Sequence, residues 1–324
     1  MNADLSTGAE KPLLKVWFTD FWLGFDPQKN FFMTVLSKFY RVELDREHPD
    51  VLFYSYRGKD FYRYRCPRIY FTGENIRPKL FECDFALSFD YSSSLRNFRL
   101  PLYVIRPGVE SLVMPKDVDR IMQEKTRFCS FVISNRFSPR RINFFKKLSR
   151  YKPVDSGGRY LNNVGGPVAD KFAFLRSCKF NIAFENTSYP GYTTEKIADP
   201  MVVGSIPIYW GNPLVDRDFN TRSFINWHDY GSDEAVIERI IQIDRDPDEY
   251  RKILSEPWLP ENRFTEFCDP DRVEEHIRSL VVEAQAVNPV GNDAGKRLLS
   301  YIYSFYIRPA GALAVKARKR MLGF

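Results

Sequence analysis

The sequence predicts an α/β protein built from two successive halves, each a parallel sheet covered by helices. Short apolar segments alternate with stretches of helical spacing, and strand, helix, strand at such intervals is typical of parallel sheets. The alternation stops in a proline-punctuated segment, residues 101–115, and begins again near Phe128. A chain of 324 residues is long enough for two cores. We therefore expect an N-terminal domain over 1–117, a C-terminal domain over 118–287 and a tail over 288–324.

Each half contains several short apolar runs that favour strands. Phe31, Phe32, Val35, Leu36 and Phe39 recur at helical spacing and predict the first helix, over 30–39. The strand candidates of the first half are 15–19, 51–54, 68–71 and 85–89, followed after the linker by a polar helical stretch at 116–125. Those of the second half are 128–133, 180–184 and 205–209, with helices expected at 140–151, 194–203, 234–243 and 269–286.

The positive charge is concentrated at the end of the chain. The formal net charge is +7, from 48 Lys and Arg against 41 Asp and Glu. No acidic residue follows Asp293, whereas seven basic residues do, so the body carries equal numbers of both signs. This balance argues against a nucleic-acid binder, which carries its basic groove on the folded domain. A hydrophobic fraction of 44% with 27% charged residues argues against wholesale disorder.

Targeting signals and cysteine usage point to a cytoplasmic protein. The first ten residues are polar and predict no secretory signal. The longest uncharged stretch, residues 200–215, is interrupted by Pro and Gly and is too short to span a bilayer. Five scattered cysteines include no C-x-x-C pair, so we expect neither a zinc site nor a disulfide framework.

Four polar clusters lie beyond the carboxyl ends of predicted strands. Because ligands bind beyond the carboxyl ends of parallel strands, these clusters are candidates for one site. They are Thr72–Asn75, Ser134–Arg141, Glu185–Asn186 and Tyr192–Lys196. The helix that opens at Thr194 presents free N–H groups and a positive dipole end. With Lys196, and with Arg140 or Arg141, it would form a diphosphate clamp.

Several familiar ligand-binding motifs have no support. Neither a P-loop nor a G-x-G-x-x-G pattern is present, which argues against an ATPase and a standard dinucleotide fold. The D-x-D triplets lie at helix starts and in loops, where capping explains them better than a metal ion. Trp17, Trp22 and Phe25 are candidates for stacking on sugar rings, although aromatic residues at such positions more commonly belong to the core.

Three segments of the second half resemble the donor-site motif of the α-1,3/4-fucosyltransferase family, the bacterial-type glycosyltransferase family 10. They read FENT at 184–187, GYTTEKI at 191–197 and IPIYWG at 206–211. The segments 71–75, 131–135 and 224–229 also look like this family. Thr193 replaces the family's Val, a small change.

This resemblance implies a GT-B-type fold, in which two Rossmann-like domains face a central cleft. It implies GDP-fucose as the donor and inversion of its β-linked sugar to an α-glycoside. Glu74 would be the general base, and Glu195 a second catalytic residue. Arg141, favoured over Arg140 by the motif spacing, would stabilise the departing GDP together with Lys196. The other implied donor-binding residues are Ser134, Asn135, Glu185, Asn186 and Tyr192. No cofactor or metal is required, and a divalent ion would at most be stimulatory.

The acceptor implied by the family is a Galβ-GlcNAc-type oligosaccharide or a lipopolysaccharide, of the kind that carries Lewis antigens. Fucose would join the GlcNAc, or Glc, in an α-1,3 linkage, and the sequence leaves α-1,4 open. Two alternatives remain. One is a GT-B transferase that uses another nucleotide sugar; the other is a non-catalytic nucleotide- or glycan-binding protein, which the joint presence of Glu74, Arg141, Glu195 and Lys196 disfavours.

The tail admits two interpretations. Leu298, Leu299, Ile302, Phe305 and Tyr306 recur at helical spacing and precede a basic cluster at 316–320. This pattern is consistent with a helix packed on the body with a solvated basic end. It is equally typical of peripheral attachment to anionic lipid through residues 296–324, in which case deletion of that segment should spare activity on soluble acceptors.

Overall fold

The first half of the chain forms a six-stranded parallel sheet. The computed structural model describes residues 10–134 and 138–307. The strand order is β2-β1-β3-β4-β5-β6. The strands are β1 (Leu13–Thr19), β2 (Arg41–Leu44), β3 (Val51–Tyr54), β4 (Arg68–Phe71), β5 (Phe85–Ser88) and β6 (Asn97–Arg99).

The central strands of this sheet are buried on both faces. Every residue of β3, β4 and β5 is buried, as expected for a parallel sheet covered on both sides. The first helix, α1 (Phe31–Phe39), covers one face and buries Phe32, Val35 and Leu36. It begins where the Asn30 side chain accepts a hydrogen bond from the Met33 amide at 3.0 Å.

The second half repeats this plan with a five-stranded parallel sheet in the order β11-β10-β9-β7-β8. The strands are β7 (Arg127–Phe131), β8 (Val154–Ser156), β9 (Cys178–Phe184), β10 (Ile206–Trp210) and β11 (Ile225–Asn226). The helices are α2 (Val118–Glu124), α3 (Pro139–Leu148), α4 (Lys171–Arg176), α5 (Glu195–Val202), α6 (Asp233–Arg245), α7 (Pro247–Ser255), α8 (Pro270–Ala286) and α9 (Ala294–Ile302).

The predicted α/β class with two parallel sheets is confirmed. The strands recognised from apolar runs lie within about two residues of their predicted bounds. The strands that the sequence analysis missed are short: β2, β6, β8 and β11 have two to four residues each. The linker, 101–115, contains two 3₁₀ helices, Leu102–Ile105 and Val109–Val113.

The chain returns to its first half at the end. Helix α8 packs on α1, where Lys38 and Glu274 form an ion pair at 2.6 Å, and the His276 ring stacks on Phe98 at 3.7 Å. The predicted division at residues 117 and 287 stays a prediction, but the two sheets lie on either side of the first boundary. Among the residues that the structure describes, every helix is too short or too polar to cross a membrane.

Candidate active site

Glu74 lies in the loop that follows β4, at the carboxyl edge of the first sheet. The Thr72 hydroxyl accepts a hydrogen bond from the Glu74 amide at 3.1 Å and so shapes this turn. The Glu74 carboxylate is half-buried, and the Tyr192 hydroxyl donates to its Oε2 at 3.5 Å. Glu74 belongs to the first half and Tyr192 to the second, so the two halves meet at this carboxylate.

The segment between β9 and α5 carries Tyr192 and lies against the first half. Asn75 donates to the Thr187 hydroxyl at 2.5 Å, and the Arg77 guanidinium lies 3.4 Å from the centre of the Tyr189 ring. The Tyr192 ring packs edge-on against Phe89, with centroids 5.1 Å apart. These contacts place the start of α5 beside the Glu74 loop.

A buried carboxylate organises the start of α5. Glu185 has no exposed surface and accepts hydrogen bonds from the Thr194 amide at 2.7 Å and from its hydroxyl at 2.8 Å. The Lys196 ammonium donates to Glu185 Oε2 at 3.0 Å and to the Thr194 hydroxyl at 2.8 Å. Burial lowers the pKa of Lys196, but the carboxylates of Glu185 and Glu195 outweigh burial, and the pKa is raised overall. Lys196 is therefore a fixed cation at neutral pH.

Arg141 supplies a second cation at the same place. It lies in the first turn of α3, is buried, and donates from Nε to the Ser138 hydroxyl at 2.9 Å and from Nη2 to Asn186 Oδ1 at 2.7 Å. Burial lowers the pKa of Arg141, and the charges of Glu185, Glu195 and Glu74 partly offset this effect. Its guanidinium remains charged because even a lowered arginine pKa stays far above neutrality.

The adjacent Arg140 points elsewhere. Its guanidinium forms an ion pair with Asp233 at 2.7 Å and lies 4.5 Å from the centre of the Trp227 ring. Arg141 is thus the arginine that joins the group of Asn186, Glu185 and Lys196. Which of the two contacts a phosphate stays a prediction, and this arrangement favours Arg141.

Glu195 and Tyr192 complete the group with an anion and a neutral hydroxyl. Burial raises the pKa of Glu195, but Lys196 and Lys171 outweigh it, so the pKa is lowered overall and Glu195 is a carboxylate. Burial raises the pKa of Tyr192, and the carboxylates of Glu185, Glu74 and Glu195 raise it further. Tyr192 therefore remains protonated and can donate a hydrogen bond.

The remaining predicted donor-binding residues differ in exposure. Ser134 is exposed in the segment that follows β7, and Asn135 lies outside the described residues. Asn186 is partly exposed beside Arg141. Glu185 lies beneath this surface, since both of its oxygens bond to Thr194 and Lys196. Its predicted contact with the donor stays a prediction, and its burial favours a supporting role.

A buried network that no sequence pattern predicted lies beside Tyr192. Arg99, the last residue of β6, donates to both oxygens of Asp218, at 2.8 and 2.6 Å, and to the Gly191 carbonyl at 3.3 Å. Asn212 accepts from the Gly191 amide at 2.7 Å and donates to the Thr193 hydroxyl at 3.0 Å. The network joins the first half to both residues that flank Tyr192. Nothing in the local sequence around Arg99 signals this pairing, which spans 119 positions.

Two of these positions depend on residue type. Gly191 has φ of +84°, and a Cβ there would lie 2.4 Å from the Phe89 carbonyl oxygen, so only glycine fits. The Thr193 hydroxyl is buried and satisfies Asn212, so the departure from the family's Val is not a neutral change in this chain.

The D-x-D triplets take other roles. Asp117, Asp246 and Asp269 cap α2, α7 and α8 by accepting hydrogen bonds from first-turn amides, as predicted. Asp218 pairs with Arg99. Within residues 10–134 and 138–307, no group of three or more His, Cys, Asp or Glu side chains is placed to hold a metal ion.

Family comparison matches both halves of the chain. Residues 16–106 match the "Alpha-(1,3)-fucosyltransferase FucT N-terminal domain", and residues 122–272 match "Glycosyltransferase family 10 (fucosyltransferase) C-term". The α-(1,3)-fucosyltransferase FucT of Helicobacter pylori is 32% identical over 288 residues, which cover 76% of this chain and 60% of that protein. α-(1,3)-Fucosyltransferase B of Drosophila melanogaster is 35% identical over 113 residues, 30% of this chain and 25% of that protein. This chain therefore spans about 60% or less of these relatives' lengths.

Solved structures of α1,3-fucosyltransferases also resemble this chain over most of its length. A crystal structure of an α1,3-fucosyltransferase with GDP-fucose superimposes with a TM-score of 0.73 at 27% identity, covering 89% of this chain and 94% of that one. The corresponding structure with GDP gives a TM-score of 0.75 at the same identity and coverage. The fold of this chain is accordingly of the GT-B type, as expected.

Proposed function

Since the chain belongs to glycosyltransferase family 10, the fucosyltransferases, we propose that it transfers L-fucose from GDP-fucose to a Galβ-GlcNAc-type acceptor with inversion. The observation that supports this most strongly is the meeting of Glu74 with Tyr192, beside the cations Arg141 and Lys196. A carboxylate from one half thus lies near the group of cations from the other half that we propose to bind the diphosphate. Inverting transfer needs a base and a leaving-group site on opposite sides of the reacting sugar.

In the proposed reaction, Glu74 takes the proton from the acceptor hydroxyl. The hydroxyl oxygen forms a bond to C1 of fucose as the bond from C1 to the β-phosphate oxygen breaks, and GDP leaves with that electron pair. Positioned base catalysis contributes about 10²–10⁴-fold to the rate. The Tyr192 hydroxyl, 3.5 Å from Glu74 Oε2, holds the carboxylate in place.

Arg141, Lys196 and the first turn of α5 would stabilise the departing diphosphate. Their positive charges lie at the carboxyl edge of the second sheet, where charge develops on GDP in the transition state. Glu185 is a positioning residue in this account, because its bonds to Thr194 and Lys196 fix both groups before the donor binds. Preorganised charges of this kind need no reorganisation during the reaction.

Glu195 and Tyr192 would face the fucose or the ribose of the donor. A carboxylate near C1 stabilises the positive charge of an oxocarbenium-like transition state. Asn186 and Ser134, with Asn135, would line the nucleotide pocket. We propose that the reaction needs no metal cofactor, because Arg141 and Lys196 supply the positive charge, and that divalent ions are at most stimulatory.

The direct test is to supply GDP-fucose with Galβ1-4GlcNAc, Galβ1-3GlcNAc and lactose, and to identify the product by NMR. An α-linked fucose on the GlcNAc or Glc residue is expected, and its position distinguishes the 1,3 linkage from the 1,4 linkage. In a parallel titration GDP should inhibit transfer strongly and UDP should not. Stronger inhibition by UDP would favour a different nucleotide sugar, and GDP binding without turnover would favour a non-catalytic protein.

We also propose peripheral contact between the C-terminal segment and anionic lipid at the cytoplasmic face of a membrane. Helix α9 and the π-helical turn Tyr303–Ile307 keep one apolar face exposed. The side chains of Leu298, Leu299, Tyr301, Ile302, Phe305 and Ile307 are 40–60% exposed. The basic cluster that would contact lipid head groups, at about 1 kcal/mol per residue, lies outside the described residues.

The contacts of α9 determine which C-terminal deletion can test lipid binding. Tyr62 bonds to Ser300, and Phe81 packs against Tyr303 with ring centroids 5.5 Å apart, so α9 and the turn after it pack on the first half of the chain. Removal of 296–324 would break these contacts, so that deletion would not separate a loss of lipid binding from a loss of stability. A chain ending at residue 307 should keep its activity on soluble acceptors and no longer sediment with vesicles of anionic lipid. Undiminished sedimentation would refute lipid binding by residues 308–324.

A further inference from the structure

A cavity of about 320 Å³ opens at the carboxyl end of β1, between residues 17–22 and Arg46, which follows β2. Strand β2 pairs only with the first half of β1, up to Val16, so the second half of β1 has an open edge there. The cavity follows this edge. Its walls include Trp17, Trp22, Phe25, Arg46, Asp60 and Arg63.

One wall is a rigid aromatic platform. Trp22 packs edge-on against Phe21 and Phe25, with ring centroids 5.6 and 5.2 Å apart. Phe21 and Phe25 are themselves stacked at 4.0 Å. The loop that carries these rings is held in place, because the Asn30 side chain donates hydrogen bonds to the Asp26 and Pro27 carbonyls. Trp22 nevertheless remains 40% exposed, so its ring is supported by Phe21 and Phe25 and is still accessible to solvent.

The opposite wall is polar. Asp20 accepts hydrogen bonds from the amides of Asp60 and Phe61, at 3.1 and 2.9 Å, and thereby fixes the turn that bears Asp60 and Arg63. Asp20 adopts φ of +61°, a conformation that costs free energy for any residue with a Cβ. Asp60 and Arg63 are only loosely paired, at 3.6 Å, and both side chains are mostly exposed. Their polar atoms are accessible to a ligand.

The cavity and Glu74 lie at the same edge of the first sheet, where its parallel strands have their carboxyl ends. Strands β1 and β4 are parallel and are separated by β3, so their carboxyl ends are about two strand spacings, or roughly 10 Å, apart. Phe21 reaches across this gap, with its ring centroid 6.3 Å from that of Phe71, three residues before Glu74. An oligosaccharide of two or three residues spans such a distance.

We propose that this cavity is a second acceptor subsite, which binds a neutral sugar residue one or two units away from the residue that receives fucose. The apolar C–H face of the sugar lies on the exposed face of Trp22, and its hydroxyl groups bond to Asp60 and Arg63. A flat aromatic wall opposite a few polar groups is the chemistry that an amphipathic pyranose ring requires. This inference rests on the proposed function, because it identifies the cavity's ligand as the acceptor glycan.

The test compares glycans of different length in the absence of donor. The binding of an N-acetyllactosamine disaccharide and of a tetrasaccharide of two such units is measured by titration calorimetry. The variants are Trp22→Ala, Trp22→Phe and, as a control that truncates a remote exposed apolar side chain, Met114→Ala. Melting temperatures establish that each variant is folded.

The tetrasaccharide should bind the wild-type chain more tightly than the disaccharide does. Trp22→Ala should weaken tetrasaccharide binding by about threefold to tenfold, the size of one aromatic contact, and leave disaccharide binding unchanged. Trp22→Phe should restore most of the loss, and Met114→Ala should change neither. Equal effects on the two glycans, or none, would overturn the subsite.

A separate transfer assay distinguishes this inference from the proposed function. If the wild-type chain transfers no fucose but the length-dependent binding persists and is lost in Trp22→Ala, the subsite stands and the proposed reaction fails. If transfer occurs and Trp22→Ala raises the KM for the disaccharide and the tetrasaccharide alike, the reaction stands and the subsite fails.

Discussion

Replacement of Lys196 by Ala separates the stability of the donor site from its affinity for the donor. Lys196 pairs with Glu185 at 3.0 Å, and Glu185 has no exposed surface. The substitution leaves a buried carboxylate with Thr194 as its remaining partner. Breaking a buried pair in this way costs about 3–5 kcal/mol in the free energy of unfolding. The melting temperature should therefore fall by several degrees.

The same substitution should weaken GDP binding. A hydrogen bond to a charged group contributes about 1.5–3 kcal/mol, which corresponds to a tenfold to roughly hundredfold higher Kd. Urea denaturation measures the first effect and titration calorimetry with GDP the second. Lys38→Ala is a matched control, because Lys38 pairs with Glu274 on the surface, and its loss should cost under about 1 kcal/mol and leave GDP affinity unchanged.

The double variant Lys196→Met/Glu185→Gln resolves the two effects. It removes the unpaired charge, so most of the lost stability should return, while GDP binding should remain weak. Recovery of GDP affinity together with stability would show that Lys196 acts only through folding. An unchanged Kd for GDP in Lys196→Ala would refute the clamp itself.

Three further predictions concern metal, the buried network and pH. EDTA should leave GDP affinity within about twofold, since Arg141 and Lys196 supply the positive charge; a tenfold loss by calorimetry would contradict this. Arg99→Met leaves Asp218 buried without its cation and should cost about 3–5 kcal/mol in urea denaturation, partly recovered by adding Asp218→Asn; a loss below about 1 kcal/mol would contradict the role of the pair. Burial raises the pKa of Asp244, but Lys152 and Lys179 outweigh it and the pKa lies below the ordinary 3.8. The stabilisation from the ionised Asp244 is therefore present above pH 3.8 and is lost as the pH falls through the folded pKa. In Asp244→Asn the free energy of unfolding should fall less steeply as the solution is acidified. An unchanged slope of this free energy against pH would contradict the prediction.

Sequence periodicity predicted the strands that are buried on both faces. Strand β3 (VLFY) is a continuous apolar run, and β4 (RIYF) is one after Arg68; burial on both faces of a parallel sheet produces such runs. The edge strands β2 and β8 carry no such signal, because they are short and neither is buried on both faces. Their sequences, RVEL and VDS, therefore resemble loops.

The location of the candidate site was predictable, but its internal contacts were not. Polar residues that follow parallel strands share one edge of the sheet, and this rule predicted that Arg141, Glu185 and Lys196 lie close together. The choice between Arg140 and Arg141 depends on Asp233 and Asn186, which lie far away in sequence. A pairing between distant residues leaves no local pattern.

The central claim is that a base from the first half and a leaving-group site from the second act on one donor. The most direct measurement is the single-turnover rate of fucose transfer by Glu74→Gln, with GDP affinity determined on the same sample. We expect the rate to fall by about 10²–10⁴-fold while the Kd for GDP stays within about twofold of the wild-type value. A wild-type rate of transfer in Glu74→Gln would contradict the account.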